Sequence, residues 1–244
     1  MADNYFERRL EHNKIQQDYY ETKDSPNMKP RDASHYLDRH VEQMITKAGI
    51  SPEHKIIDIG CGSGRYTLRF AKRGYDIEGL DLTGGLLEAL KDNDGGKYNI
   101  PLHLTDIIEH DEELDGRFDR VIGFFALHHL FDLNASFKAM EKLTKPGGII
   151  AFLEPNAFNP LYYIQMLITP GMTWKGDKGV AKMRKSLIFK AMNNAGLKNL
   201  SIYRFGFFPP FLVNTSWGTK IERFLEKLPF LHPFLPFQLF IGTK

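Results

Sequence analysis

Asp58, Asp81 and Asp106 are the residues whose types and spacing most clearly suggest chemistry. Asp58 stands two residues before Gly60, the first of three glycines on alternate positions, Gly60, Gly62 and Gly64. Glycines there let the chain turn tightly and approach a ligand where a Cβ would clash. Asp81 falls 21 positions after Gly60, and Asp106 closes the next short apolar segment. A carboxylate offers two acceptor oxygens, so an acid at the end of the second strand of a βαβ unit can take both ribose hydroxyls. His128 and His129 add imidazoles, which titrate near neutral pH and suit general-base work. Cys61, the one cysteine, lies inside the glycine turn with no evident base beside it and reads as a small packing residue.

The segments that must position these groups alternate strand and helix. An apolar strand over Ile56–Ile59 enters the glycine turn, and an amphipathic run from Arg65 to Arg73 stops at Gly74. Upstream, residues 33–48 place Tyr36, Leu37, Val41, Met44 and Ile45 at helical spacing. A second strand over 76–81 ends in Asp81, and a helix over 84–91 follows. A short strand over 101–104 leads to Thr105-Asp106, and a fourth over 118–125 runs into Ala126-Leu127-His128-His129-Leu130. A helix over 133–143, a turn at 145–148 and a strand over 149–153 ending at Glu154 complete the first half. A helix over 187–195, strands over 200–205 and 237–241, and a helix from Trp217 to Leu228 between them make up the rest. Such alternation predicts an α/β fold with a largely parallel sheet, whose ligands bind at the carboxyl ends of the strands. The dinucleotide fingerprint G-x-G-x-x-G fails on both counts, with Arg65 or Thr67 where its third glycine belongs.

Asp58-x-Gly60-x-Gly62-x-Gly64 resembles the first motif of class I S-adenosylmethionine (SAM) methyltransferases, and the later strand ends follow that family's order. The resemblance implies a Rossmann-like, seven-stranded, mostly parallel sheet with an antiparallel last strand and helices on both faces. It implies that Asp58 and the turn Gly60, Cys61, Gly62 and Gly64 hold the methionine portion of SAM, and that Asp81 holds the ribose. Leu82, Thr105, Asp106, Ile107 and Phe124 would line the adenosine, with Asp106 accepting from the adenine amino group. S-adenosylhomocysteine (SAH) would be the product. In this family an N-terminal segment often covers the cofactor, which points to Tyr19, Tyr20 and Arg31. The Asn/Asp-Pro-Pro-Tyr motif and paired glutamates of specialised subclasses are absent, as is any Cys/His metal spacing. This leaves the small-molecule branch, acting on lipids, quinones, sugars or secondary metabolites. His128 or His129 would serve as base if the acceptor is a hydroxyl.

The expected organisation is one domain over 1–244. Residues 1–52 form a helical extension, 53–155 the SAM-binding core, and 156–185 and 206–236 inserts on the substrate side. Residues 206–236 are dense in aromatics and prolines, in a chain with 19 Phe and 10 Tyr, and favour an apolar acceptor or contact with a membrane surface. A basic stretch, Lys175, Lys178, Lys182, Arg184 and Lys185 with one acid, Asp177, reads as a solvated face or as a contact for phosphate. A net charge of +2 does not point to nucleic acid. One cysteine, a charged N-terminus and no apolar run of membrane-spanning length suggest a cytoplasmic protein, peripheral to a membrane at most. Two rivals remain: a non-catalytic SAM-binding module, and an NAD(P)-dependent oxidoreductase, which the glycine count disfavours.

Overall fold

Alternate residues of the first strand, β1 (Lys55–Ile59), belong to two different cores: Ile57 and Ile59 to one face of the sheet, Ile56 to the other. A strand buried on both faces is the mark of a parallel sheet clothed by helices. A computed structural model describes residues 2–21, 34–160 and 178–244. The expectations for Arg31, the Pro26/Pro30 region, Lys175, Asp177 and the piece over 161–168 lie outside these residues.

The remaining strands are β2 (Asp76–Asp81), β3 (Leu102–Leu104), β4 (Phe118–Phe124), β5 (Thr144–Pro155), β6 (Lys198–Phe205) and β7 (Phe237–Thr243). They form a seven-stranded sheet in the order β3-β2-β1-β4-β5-β7-β6, with β7 antiparallel to both neighbours. The expected mixed, mostly parallel fold is therefore observed. β5 is longer than its apolar run, because Lys145–Gly148 continues the strand through an irregularity against β4 rather than forming a separate turn.

The helices are α1 (Ala2–Glu21), α2 (His35–Lys47), α3 (Thr67–Lys72), α4 (Gly84–Asp94), α5 (Leu133–Leu143), α6 (Lys185–Asn194), α7 (Pro210–Val213) and α8 (Ser216–Leu225). α2 starts where Ser34 Oγ accepts from the Leu37 N–H and buries Leu37, Val41 and Met44. α3 is shorter than its amphipathic run, since Arg65 and Tyr66 still belong to the turn from β1. α8 stops short of Leu228, and Pro229 opens a 3-10 segment, Pro229–Phe234, that a proline without an N–H can enter but not continue as α-helix. No described helix is long and apolar enough to cross a membrane.

The connection between β6 and β7 is clamped to the rest by one cation. Arg39 of α2, largely buried, pairs with Glu222 and Glu226, and these carboxylates also accept from the Phe207, Phe208 and Gly206 N–H groups. Removing one partner of such a buried set strands the others. We expect Arg39→Ala to lower unfolding free energy by about 3 kcal/mol, read as a shift in the urea midpoint, with Glu226→Gln costing much less.

Candidate active site

The site lies at the edge where β1, β2, β3 and β4 end. Gly60, Gly62 and Gly64 all adopt positive φ, +73°, +52° and +85°, so the β1 turn needs residues without a Cβ penalty. A Cβ at Gly60 would meet Ala126 Cβ at 2.7 Å, whereas one at Gly62 would find only Leu86, at 3.9 Å, and mostly fill open space. The turn spends its N–H groups internally. Gly60 and Cys61 donate to the Leu80 carbonyl (2.7 and 3.2 Å), Gly64 to the Cys61 carbonyl (3.1 Å), and Gly62 to Asp81 Oδ2 (2.8 Å).

Asp81 also accepts at Oδ1 from the Thr83 N–H at 2.9 Å. Burial raises its pKa, and the N–H groups of Thr83 and Gly62 only partly hold it down. Asp58 lies deeper. On the sheet face of Ile56, its Oδ2 accepts from Thr67 Oγ1 of α3 at 2.7 Å, and its Oδ1 has no hydrogen-bond partner among the described residues. Burial raises its pKa, the Thr67 bond lowers it, and the nearby Asp81 charge raises it, to about 7. Burial and the two carboxylates also push the Cys61 thiol well above its usual range, which fits a packing role and not a thiolate.

One cleft brings together Gly60, Cys61, Gly62, Asp81, Leu82, Thr105, Asp106, Ile107, Phe124 and His129. Asp58, Gly64 and His128 do not line it. Asp58 sits behind the turn, and a Cβ on Gly64 would meet Leu90 and Leu68. His128 packs against the His129 ring but bonds elsewhere: its Nδ1 lies 2.6 Å from Glu154 Oε2, while Oε1 accepts from the Leu127 N–H, and both side chains are buried. Among the described residues, none of 206–236 lines the cleft.

The roof is α1, whose polar residues face the site. Asn13 donates to Asp106 Oδ2 (2.7 Å), Gln17 to the Leu82 carbonyl (2.9 Å) and His12 to the His129 carbonyl (2.8 Å). The Tyr20 hydroxyl stands 2.7 Å from His129 Nε2. Arg9 pairs with Glu109 and approaches Asp106. Of the N-terminal residues singled out in the sequence, Tyr20 thus reaches the cleft. Asn13, Gln16, Arg65, Tyr66 and Phe125 line it too and were not expected. A polar stripe at helical spacing (9, 13, 16, 20) was the signal for the α1 residues. Phe125 holds φ +57°, the left-handed region that a bulky residue rarely enters, at the mouth of the site.

Residues 56–148 match a family model described as a methyltransferase domain. The chain belongs to the class I SAM-dependent methyltransferase family. A ubiquinone biosynthesis O-methyltransferase of Acinetobacter baumannii (strain AYE) is 32% identical to it over 161 residues, covering 62% of this chain and 66% of that protein. Among solved structures, the geranyl diphosphate C-methyltransferase of Streptomyces coelicolor A3(2) superposes with TM-score 0.62 at 15% identity, covering 95% of this chain and 97% of that one. The [4+2]-cyclase SpnF superposes with TM-score 0.61 at 16% identity, covering 87% and 83%. The two structural likenesses establish the methyltransferase fold, on which more than one chemistry has been built.

The cofactor of this methyltransferase family is a cation at its sulfonium and ammonium, and the residues present fit it: Asp58, with an unpartnered oxygen, is buried behind the glycine turn, and Asp81 is buried in the cleft beside it. The pKa of Asp58 gives a stability test without ligand. From about pH 4 to 7 the unfolded chain has lost this proton while the folded chain keeps it, so stability falls as pH rises. The loss is at most about 4 kcal/mol across that window. Wild type should therefore weaken relative to Asp58→Asn between pH 4 and pH 8 in urea titrations; a constant difference between the two proteins refutes the assignment.

Proposed function

We propose that the chain transfers a methyl group from SAM to a small apolar or lipid-like acceptor, releasing SAH. The disposition of charge carries this reading. A dinucleotide's pyrophosphate needs free N–H groups at the glycine turn, and here those of Gly60, Cys61, Gly62 and Gly64 are bonded within the protein beside two buried acids. A cationic cofactor needs none of those donors and is attracted by the acids.

When bound, SAM supplies an electrophilic methyl group and its own leaving group. The protein's part is to align, desolvate and remove a proton. Asp81, held by Gly62 and Thr83, keeps lone pairs for the ribose hydroxyls. Asp106 would take the adenine, with Ile107 and Leu82 beside it, and Arg65 would pair with the amino-acid carboxylate; all four line the cleft. Asp58 acts from behind the turn, as a buried acid. Phe124, Phe125, Leu130 and Phe131 give the cleft apolar walls that exclude water. His129, of the two histidines, is the base for a hydroxyl acceptor, with Tyr20 fixing its ring at 2.7 Å. His128 serves structurally, through Glu154.

The acceptor class is supported by those walls and by the matched relative's name, an O-methyltransferase of ubiquinone biosynthesis. On this reading 53–155 is the cofactor half, 1–52 covers it, and 156–185 and 206–236 lie on the acceptor side. A reducing, cytoplasmic setting suits the single buried thiol, with the aromatic segment resting on lipid. A second reading, a SAM-binding module without turnover, is favoured by α1, whose Asn13 already occupies Asp106.

Calorimetry with SAH and a methylation screen separate these. Wild type should bind SAH, and Asp81→Asn should weaken it at least ~10-fold. Tyr20→Phe should lower kcat on a phenol or quinol roughly 10-fold or more while leaving SAH affinity within a factor of a few. SAH binding with no methylated product across lipids, quinols and sugars selects the module, and no SAH binding overturns the proposal.

A further inference from the structure

The segment between β6 and β7 has an unusual distribution of charge. Residues 206–236 contain two acids, Glu222 and Glu226, and both turn inward onto Arg39 and the backbone of 206–208. Their basic residues Lys220, Arg223 and Lys227 are all exposed. The sequence alone shows a mixed-charge helix, and folding converts it into one whose outward charge is almost wholly positive. Glu42 of α2, an exposed acid, borders Arg223 and Lys227.

The apolar residues of α8 point the wrong way for a core. Trp217, Ile221 and Phe224 recur at i, i+4 and i+7, one stripe of a helix, and are 54%, 43% and 63% exposed. Phe230 and Phe234, in the following 3-10 segment, are exposed as well. The surface continues onto the β5 end: Asn159 donates to the Phe234 carbonyl, and the Arg184 guanidinium lies 6.0 Å from the centre of the exposed Phe158 ring. A helix with an exposed Trp/Phe stripe and flanking Lys/Arg is built to lie in the interface of a bilayer.

We propose that α8 and the 3-10 segment after it dock this protein on an anionic lipid surface, with the Trp217–Phe224 stripe in the acyl boundary and Lys220, Arg223 and Lys227 on headgroup phosphates. The charge asymmetry selects lipid over another protein copy, because a second copy would present the same cations. Topology gives the contact a purpose. The segment leaves β6 and enters β7 at the sheet edge where β1, β2, β3 and β4 also end, and Phe237, its last neighbour, touches Phe125 of the cleft. Docking therefore turns the cleft's edge toward the bilayer. This rests on the lipid-like acceptor reading for its purpose and not for its geometry.

The test is flotation of the whole chain with vesicles of phosphatidylcholine alone and with about 30% phosphatidylglycerol. We expect capture by the anionic vesicles, lost in high salt, and reduced at least ~10-fold in K220E/R223E/K227E and in W217S/F224S. In a W174F background, Trp217 emission should shift to the blue on the anionic vesicles. Equal capture of wild type and both variants, or no emission shift, overturns the proposal. So does a vesicle-independent dimer that W217S/F224S dissociates. SAH binding, measured on each variant, should be unchanged. If SAH binds but lipid does not, this proposal falls alone, and if lipid binds but SAH does not, the methyl-transfer reading falls alone.

Discussion

The hydrogen bond from the Gly62 N–H to Asp81 is the constraint from which the site follows. It ties the turn after β1 to the end of β2, so the two cofactor-facing segments cannot move independently. It also consumes a donor at the place where nucleotide-binding folds usually keep one for a phosphate. With the Leu80 carbonyl taking the Gly60 and Cys61 N–H groups as well, the turn becomes a surface of fixed shape with a buried acid, Asp58, behind it. A turn bonded in this way offers a pyrophosphate none of the Gly60, Cys61, Gly62 or Gly64 N–H groups. Positive φ at all three glycines is the condition for that bonding, and a substitution there would incur strain before it met any ligand.

The roof obeys different physics. α1 faces the protein with Arg9, His12, Asn13, Gln17 and Tyr20, while Phe6, Leu10 and Ile15 are exposed. Each of its hydrogen bonds nets about 0.5–1.5 kcal/mol, and parting it from the site would uncover polar groups that water can satisfy. Most of the core helices, such as α2 with Leu37, Val41 and Met44, cannot part so cheaply. The cofactor cleft is therefore walled on one side by packing and on the other by polar contacts.

This difference explains what could be read in the sequence. β1 is an apolar run buried on both faces that enters a glycine turn, and β2 ends in an acid, so the places of Asp81 and Asp106 at successive strand ends were legible. α1 was expected to cover the site with its tyrosines, but Asn13 and Gln16 were not expected there, because a search for apolar periodicity passes over a helix that docks through its polar stripe. Arg65 and Tyr66 were assigned to a helix because their pattern is amphipathic, yet they remain in the turn and line the cleft. The strain at Phe125 has no local signature at all, since tertiary packing at the end of β4 imposes it.

His128 and His129 show the same limit at the scale of one residue. Adjacent in sequence, equal in chemistry and with rings 3.9 Å apart, they are indistinguishable until the chain is folded. In the fold each ring, still against the other, finds a different hydrogen-bond partner. One meets Glu154, a carboxylate that also caps the Leu127 N–H and so must stay where the backbone puts it. The other meets a tyrosine carried by a helix more than a hundred residues away in sequence. His128 is thereby engaged with a buried carboxylate, whereas His129 lines the cleft. The difference between the two is set by their partners, one carried by β5 and the other by α1.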